Sequence, residues 1–334
     1  WDPGEQLVLT RNPNYTWGPA IHDNTGPAHV ETVIRRPIPE QTTMLFDLEL
    51  GNIDVLINAP QSEVDRLEMI PELTMVPVSP LPSIDFISLK ASRPLLGDVN
   101  VRRAITYAID RQELADTVWF GLATPAKGII LPTTPGFAAN ADWAMDDPEK
   151  AIALLEESGW ELGNDGIRVK DGQRLEIVFL LIASPINEQL ALAIRQHLSE
   201  VGIDLKVNLM DGGLFWGEST KDTFDILRLD YGFNSALDIL DNYFNSGNMP
   251  SPNRHGFPSA RIDELLAAAS VEVDENVKNE LLEEVQEIVA SAGIFLPLVN
   301  VQQVYAVYEG VHNVNPHGQY LLGFGKLLDM WTER

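Results

Sequence analysis

The chain has no cysteine, which removes disulfides, thiol nucleophiles and thiolate metal sites together. Basic residues are scarce: 23 Lys and Arg stand against 49 Asp and Glu, a formal net charge of -26. Such a chain has no cationic footprint for phosphates, which argues against nucleic acid and anionic membrane surfaces as partners. No apolar run reaches the roughly 18 residues that a spanning helix requires. Histidines number six, at 22, 29, 197, 255, 312 and 317. They form no His-Glu-x-x-His, and His22 and His29 are too far apart for one helical face, so no metal site is read. A Gly-x-Ser-x-Gly elbow, a Walker A loop and a Gly-x-Gly-x-x-Gly after a strand are also missing. With so many carboxylates, a glycosidase pair cannot be inferred from numbers. No cofactor is implied.

What is present is a chain of 334 residues, long enough for two lobes with cores of their own. Its acidity is read first as a solvated surface that keeps the protein soluble, with attraction of cationic solutes into an acidic cleft as the alternative. Leu7 to Tyr15 reads as an alternating strand entering an Asn-Pro turn. Further strands are expected over Val33–Ile38, Asn52–Ile57, Pro71–Pro77 and Ile84–Leu89. Between the first two lies a short helix, Pro39 to Gly51, stopped by its glycine.

From about Ala91 helices alternate with strands, the rhythm of an α/β lobe. Val101, Ala104, Ile105, Ala108 and Ile109 form one stripe, which predicts a single amphipathic helix over Val101–Arg111. Asp146-Asp-Pro-Glu-Lys-Ala151 opens another helix with acidic residues and an early proline. Asp165-Gly166 and Asp171-Gly172 bracket Ile167–Lys170, a hairpin signal. Leu175–Ile182 reads as a buried strand, Glu188–Val201 as a helix and Ile203–Met210 as a strand. Arg261–Ala269 and Glu275–Ala290 are further helices, and Pro77–Pro82 is read as a stiff crossing between lobes.

The wording of these landmarks resembles a known family. Val101-Arg-Arg-Ala-Ile-Thr-Tyr-Ala-Ile-Asp-Arg111 follows Pro94-Leu-Leu-Gly-Asp-Val99. It precedes Gly121-Leu-Ala-Thr-Pro-Ala126 and Leu131-Pro-Thr-Thr-Pro-Gly136. Together they are similar to the signature helix and flanks of the family 5 extracellular solute-binding proteins, the peptide, nickel and oligosaccharide receptors of ABC importers. The resemblance continues in order along nearly the whole chain, and Ile294–Leu298 resembles the segment returning to lobe I. It implies an α/β, periplasmic-binding-protein-like type II fold of two lobes with mixed sheets. Lobe I would hold residues 1–88 and 296–334, and lobe II residues 89–295. In the family, a phrase like Arg11-Asn-Pro-Asn-Tyr15 with Trp17 sits well inside the sequence. The chain is therefore expected to be the C-terminal portion of a longer parent, with the N-terminal part of lobe I missing.

The function implied is that of a receptor and not an enzyme. It would close its lobes on a small solute and present it to the transmembrane permease subunits. The resemblance further implies a monomer, periplasmic or extracellular, with the parent anchored to the membrane. Oligopeptide leads as the solute, oligosaccharide is second and metal chelate third. Outside the class stand a secreted hydrolase and a structural or adhesive surface protein.

Phe224 to Leu240 resembles the Trp-x-Ala-Asp-Tyr-x-Asp-Pro phrase of peptide-binding members, whose first Asp grips the ligand's α-ammonium. A carboxylate suits that role because a buried ammonium must be paired to offset its desolvation. If Asp230-Tyr231 matches the Asp-Tyr, Asp230 is the amine anchor. A gapless alignment puts Tyr231 at the Trp instead, leaves no carboxylate at the anchor, and brings Asp238 near the Asp-Pro with the Pro missing. Both alignments stay open, and Phe233 and Asn234 complete the candidate set. Trp216, in the glycine-rich Asp211–Gly217 loop, is the aromatic cleft candidate. Trp119 and Trp143 could also stack on a ligand, while Trp160 reads as packing. His197 reads as a core histidine and His255 as a surface-loop residue. Lys90 and Ala91 stand where the family commonly has Asn, which weakens a ligand contact there.

Overall fold

Leu-Val-Leu-Thr and Thr-Val-Ile-Arg, rich in β-branched and aliphatic residues, pair as an antiparallel ribbon: β1 (Leu7–Thr10) lies on β2 (Thr32–Arg35), with Leu7 opposite Arg35. The structure is a computed structural model, and it describes residues 2–18, 22–78, 83–316 and 327–333. Helix α1 (Gln41–Glu49) starts at Glu40, whose carboxylate accepts the Thr43 N–H. The chain continues through β3 (Val55–Leu56), α2 (Val64–Leu67) and β4 (Leu73–Pro77). These elements belong to a first unit, residues 1–81 and 302–334. Most of the Pro77–Pro82 crossing lies outside the described residues.

The second unit is residues 82–301. It opens with β5 (Ser83–Leu89), followed by α3 (Val99–Tyr107) and α4 (Arg111–Thr117). The single helix expected over Val101–Arg111 is therefore two. Ala108 caps α3, and Asp110 turns extended and accepts the Glu113 N–H to start α4. Arg111 is buried, its guanidinium bonded to Asp146 and to the carbonyls of Ala126 and Pro297. After β6 (Ala123–Pro125), α5 (Pro148–Glu157) begins at an Asp147 cap.

A meander of β7 (Glu161–Leu162), β8 (Arg168–Lys170) and β9 (Gln173–Arg174) turns at Asp171-Gly172, both at positive φ (52° and 80°). Next come β10 (Glu176–Ile182), α6 (Pro185–Glu200), β11 (Asp204–Met210) and α7 (Gly212–Glu218). The glycine-rich stretch read as a loop is thus helical. Asp211 caps it and Phe215 anchors it in the core. The unit ends with β12 (Ile226–Gly232), α8 (Ala236–Phe244), α9 (Ala260–Val271), α10 (Glu275–Ala292) and β13 (Phe295–Val301).

Its main sheet has the order β11-β10-β12-β5-β13-β6. β10 runs parallel to β11 and β12, and the remaining pairs are antiparallel. Ile177, Phe179, Leu181 and Ile226 face a core built with α3, α5 and α6. Leu180, Leu227, Leu229 and Phe295 face a second core with α8, α9 and α10. Each fully buried Leu, Ile or Phe there contributes roughly 1.5–3 kcal/mol. Between Pro297 and Val299 the β13–β5 register shifts, because proline has no N–H to give the ladder. β5 and β13 are inner strands of this sheet, which is why the division falls at 82 and 301 and not at the expected 89 and 295.

Back in the first unit, β14 (Val304–Tyr308) completes the order β3-β14-β4, and β15 (Val311–His312) pairs β16 (Trp331–Thr332). Among the described residues, no helix is long and apolar enough to cross a membrane.

Candidate functional site

The parallel strands β10, β11 and β12 end at Ile182, Met210 and Gly232, and each leads to a capped helix start at Ser184, Asp211 or Ser235. In open α/β sheets, ligand-binding groups collect at such carboxyl ends. Five of the six sequence candidates, all but Trp216, lie there, on or after the end of β12.

On one face of β12, Asp230 stands opposite Asp85 of β5. Two residues back on the same face, Arg228 donates from Nε to Asp85 Oδ1 at 2.9 Å and from Nη2 to Oδ2. Its Nη1 donates to Asn187 Oδ1 at 3.0 Å, and Asn187 Nδ2 donates to the Ile182 carbonyl at 2.8 Å. Burial pushes the Asp85 carboxyl up, against the pull of the guanidinium. The guanidinium is therefore committed. Asp230 is exposed, and its side chain has no hydrogen bond or ion pair among the described residues. Two carboxylates around one guanidinium leave a net negative charge at the strand end, suited to a cation.

The opposite face holds a closed hydrogen-bond network. Tyr231 Oη donates to Asp238 Oδ1 at 3.3 Å and accepts from Asn242 Nδ2 at 3.0 Å. The Asp238 carboxylate also accepts the Asn234 N–H at 2.9 Å and Asn242 Nδ2 at 3.0 Å. Asp238 is the third residue of α8, and its own N–H donates to the Ser235 hydroxyl at 3.2 Å. Asp238 thus positions Tyr231 and the turn before α8. The network brings Tyr231, Asn234 and Asp238 together, while Asp230 sits on the other side of the strand. Phe233 is 0% exposed in the core, so its side chain has no surface for a solute.

Trp216 lies on α7 with 51% of its surface exposed. Phe215 meets it edge-on at 5.1 Å, and the Arg254 guanidinium lies 5.4 Å from its ring centre. Trp119, Trp143 and Trp160 are all buried in the two cores. His197 is buried as expected, 3.1 Å from Glu113. His255 is not on the surface: it is 1% exposed and stacked on Phe244. Its Nδ1 lies 2.7 Å from the Ile294 carbonyl, which can only accept, so Nδ1 carries the proton. Burial, reinforced by the Arg254 charge and only partly opposed by the Ile294 hydrogen bond, pushes the imidazole down to about 3. Among the described residues, no three His, Asp or Glu side chains group so as to hold a metal.

Sequence reasoning missed Asp85, Arg228, Asn187, Asn242 and Arg254. A signal existed for the first two: each is a lone charge inside an apolar strand, Ile84-Asp85-Phe86 and Leu227-Arg228-Leu229. Charges so placed are either paired or functional.

Residues 1–251 match the bacterial extracellular solute-binding proteins, family 5 Middle. The chain belongs to this family. It is similar to the nickel-binding periplasmic protein of Escherichia coli strain K12, 29% identical over 209 residues, or 60% of this chain and 38% of that protein. It is also similar to the glutathione-binding protein GsiB of Salmonella choleraesuis, 26% identical over 310 residues, 88% of this chain and 55% of the relative. The chain thus spans about half the length, or less, of these curated relatives. In fold, it is similar to the oligopeptide-binding protein AppA of Bacillus subtilis in complex with a nonapeptide. That match has a TM-score of 0.83 at 20% identity and covers 100% of this chain and 65% of the other. Family 5 proteins are solute-binding proteins, and the two-unit α/β architecture with mixed sheets is the type II fold expected of one.

Proposed function

We propose that this family 5 protein is the receptor of an ABC importer that captures an oligopeptide and hands it, chemically unchanged, to the permease. The observation that carries this reading is the Asp230 carboxylate. It is exposed at the end of β12, with its neighbouring cation already held by Asp85. A free α-ammonium is the group such a carboxylate recognises, by a charge-assisted hydrogen bond. The names of its relatives, which bind glutathione or a nonapeptide, support a peptide-like solute. Work in the periplasm or at the outer cell surface, as a monomer anchored through its parent chain, is part of the same proposal.

Native mass spectrometry of the protein as cells produce it, with fragmentation of the released cargo, tests this. A ladder of peptide masses is expected, and Asp230→Asn should lose it, with affinity down about 10- to 100-fold. A hexose-spaced series from the wild type would overturn the peptide reading and move attention to Trp216 as a sugar platform.

A further inference from the structure

Apolar side chains left in solvent cluster where α9 hands over to α10. Val271 is 79% exposed, Val273 92% and Val277 41%. Such side chains gain nothing from standing in water, and neither core of the second unit includes any of the three. The connection that carries them is fixed. The Glu272 carboxylate accepts the N–H groups of Val273 and Asp274 at 2.7 and 2.8 Å. Asp274 in turn accepts those of Asn276 and Val277, at 2.9 and 3.4 Å. The valines are therefore presented already ordered, so a surface that binds them has little left to immobilise.

The place of this knob follows from the pairing around it. The His255 carbonyl accepts the Ala91 N–H just beyond the end of β5, and the His255 ring bonds the Ile294 carbonyl. α9 begins four residues after His255, at a Ser259 cap, and α10 stops at Gly293, next to Ile294. Both of those helix ends thus lie at the Leu89 end of the main sheet. α10 has 18 residues and runs about 27 Å away from it. Its connection to α9 accordingly lies towards the other end, where β12 stops at Gly232 opposite Ser83 and carries Asp230.

The charges next to the valines in sequence are acidic: Glu272, Asp274, Glu275 and Glu280. Lys278 is the exception, and its Nζ lies 3.8 Å from Glu275. A second copy of this chain, of net charge -26, or an anionic membrane would meet the knob with like charge. Its complement is an apolar hollow rimmed by Lys and Arg. We propose that the α9–α10 connection docks into such a hollow on the outward face of the transmembrane permease, with Val271 and Val273 filling it and the carboxylates fixing the register. The inference rests on the receptor reading and adds the surface by which the receptor is held.

Photo-crosslinking tests it. Asn276, exposed in the first turn of α10, is replaced by p-benzoylphenylalanine in the protein as cells produce it, and the adduct formed on illumination is identified by mass spectrometry. A permease transmembrane subunit is expected. The same probe at Leu192, 62% exposed on α6, should not capture it. Val271→Ser combined with Val273→Ser should lower both the adduct yield and the uptake of a labelled tripeptide mixture about 10-fold. The melt should not change and cargo affinity should stay within about twofold, because neither side chain supports the core. Glu275→Gln should lower the yield a few fold and reduce its dependence on salt. An adduct with a second copy of the chain, or no adduct with the permease, overturns the assignment. Uptake in cells lacking the protein separates this failure from that of the receptor reading. If wild type restores uptake and the double valine variant restores it equally, only the docking surface falls. If wild type does not restore it, the receptor reading falls and this one with it.

Discussion

Arg228 and Asp85 sit diagonally across the β12–β5 pair and meet through two hydrogen bonds, Nε to Oδ1 at 2.9 Å and Nη2 to Oδ2. Both are largely buried. The pair neutralises Asp85 and so leaves Asp230, its cross-strand neighbour, as the uncompensated charge.

Arg228→Met should therefore be severely destabilising. It strands Asp85 as an unpaired buried carboxylate and frees the Asn187 amide oxygen. A loss of about 3–5 kcal/mol is expected in denaturant unfolding. The double variant Arg228→Met with Asp85→Leu should recover most of it, and a double variant as unstable as the single one would show that the ion pair is not the cause.

Asp238→Ala should cost about 1–3 kcal/mol, because it removes four acceptor contacts and leaves the Tyr231 hydroxyl and the turn before α8 unsatisfied. Asp238→Asn, which keeps one acceptor oxygen, should lose less. Thermal melts of both variants check the order.

Phe233→Ala separates packing from recognition. It should cost about 3–5 kcal/mol through the cavity it opens. Phe233→Leu should cost less and leave peptide affinity within about twofold of wild type. Calorimetry on the leucine variant would expose a direct contact if affinity collapsed while the melt stayed high.

Acid stability should depend on His255. Its folded-state value is about 3, against about 6.5 in an unfolded chain. Below pH 6.5 the unfolded state binds a proton that the folded state refuses. The stability from a neutral His255 is thus fully present above about pH 6.5 and falls as pH drops towards 3, by up to about 1.4 kcal/mol per unit. Unfolding free energies from pH 7 to 4 should fall more steeply for wild type than for His255→Gln. Parallel curves would contradict the burial of the ring.

Local signals read well from sequence. The Asp171-Gly172 turn, the α5 and α10 starts and the apolar β10 strand all emerged where expected, because each is decided within a few residues. The break in the Val101–Arg111 helix did not. Its apolar stripe runs unbroken through Ile109, and what stops it is the Asp110 cap together with the distant bonds of Arg111. α7 was hidden by its glycines, and the placement of β5 and β13 depends on pairing across more than 200 residues. At the site, the end of β12 was legible as a place. The face each side chain takes was not, since neighbouring strand residues point oppositely and the competing alignments differ in register.

Pro297 and Arg111 were described as parts of a sheet and a helix, but they form one joint. The proline leaves a rung without a donor, and its carbonyl accepts from Arg111 Nη1 at 3.2 Å, from a residue that begins the helix after the α3 break. Two irregularities of the chain are thus secured by one side chain. Their energetics should be non-additive: once Arg111 is gone, regularising β13 at position 297 would have a different effect from the same change in the intact protein, and a double-mutant cycle would read that coupling directly.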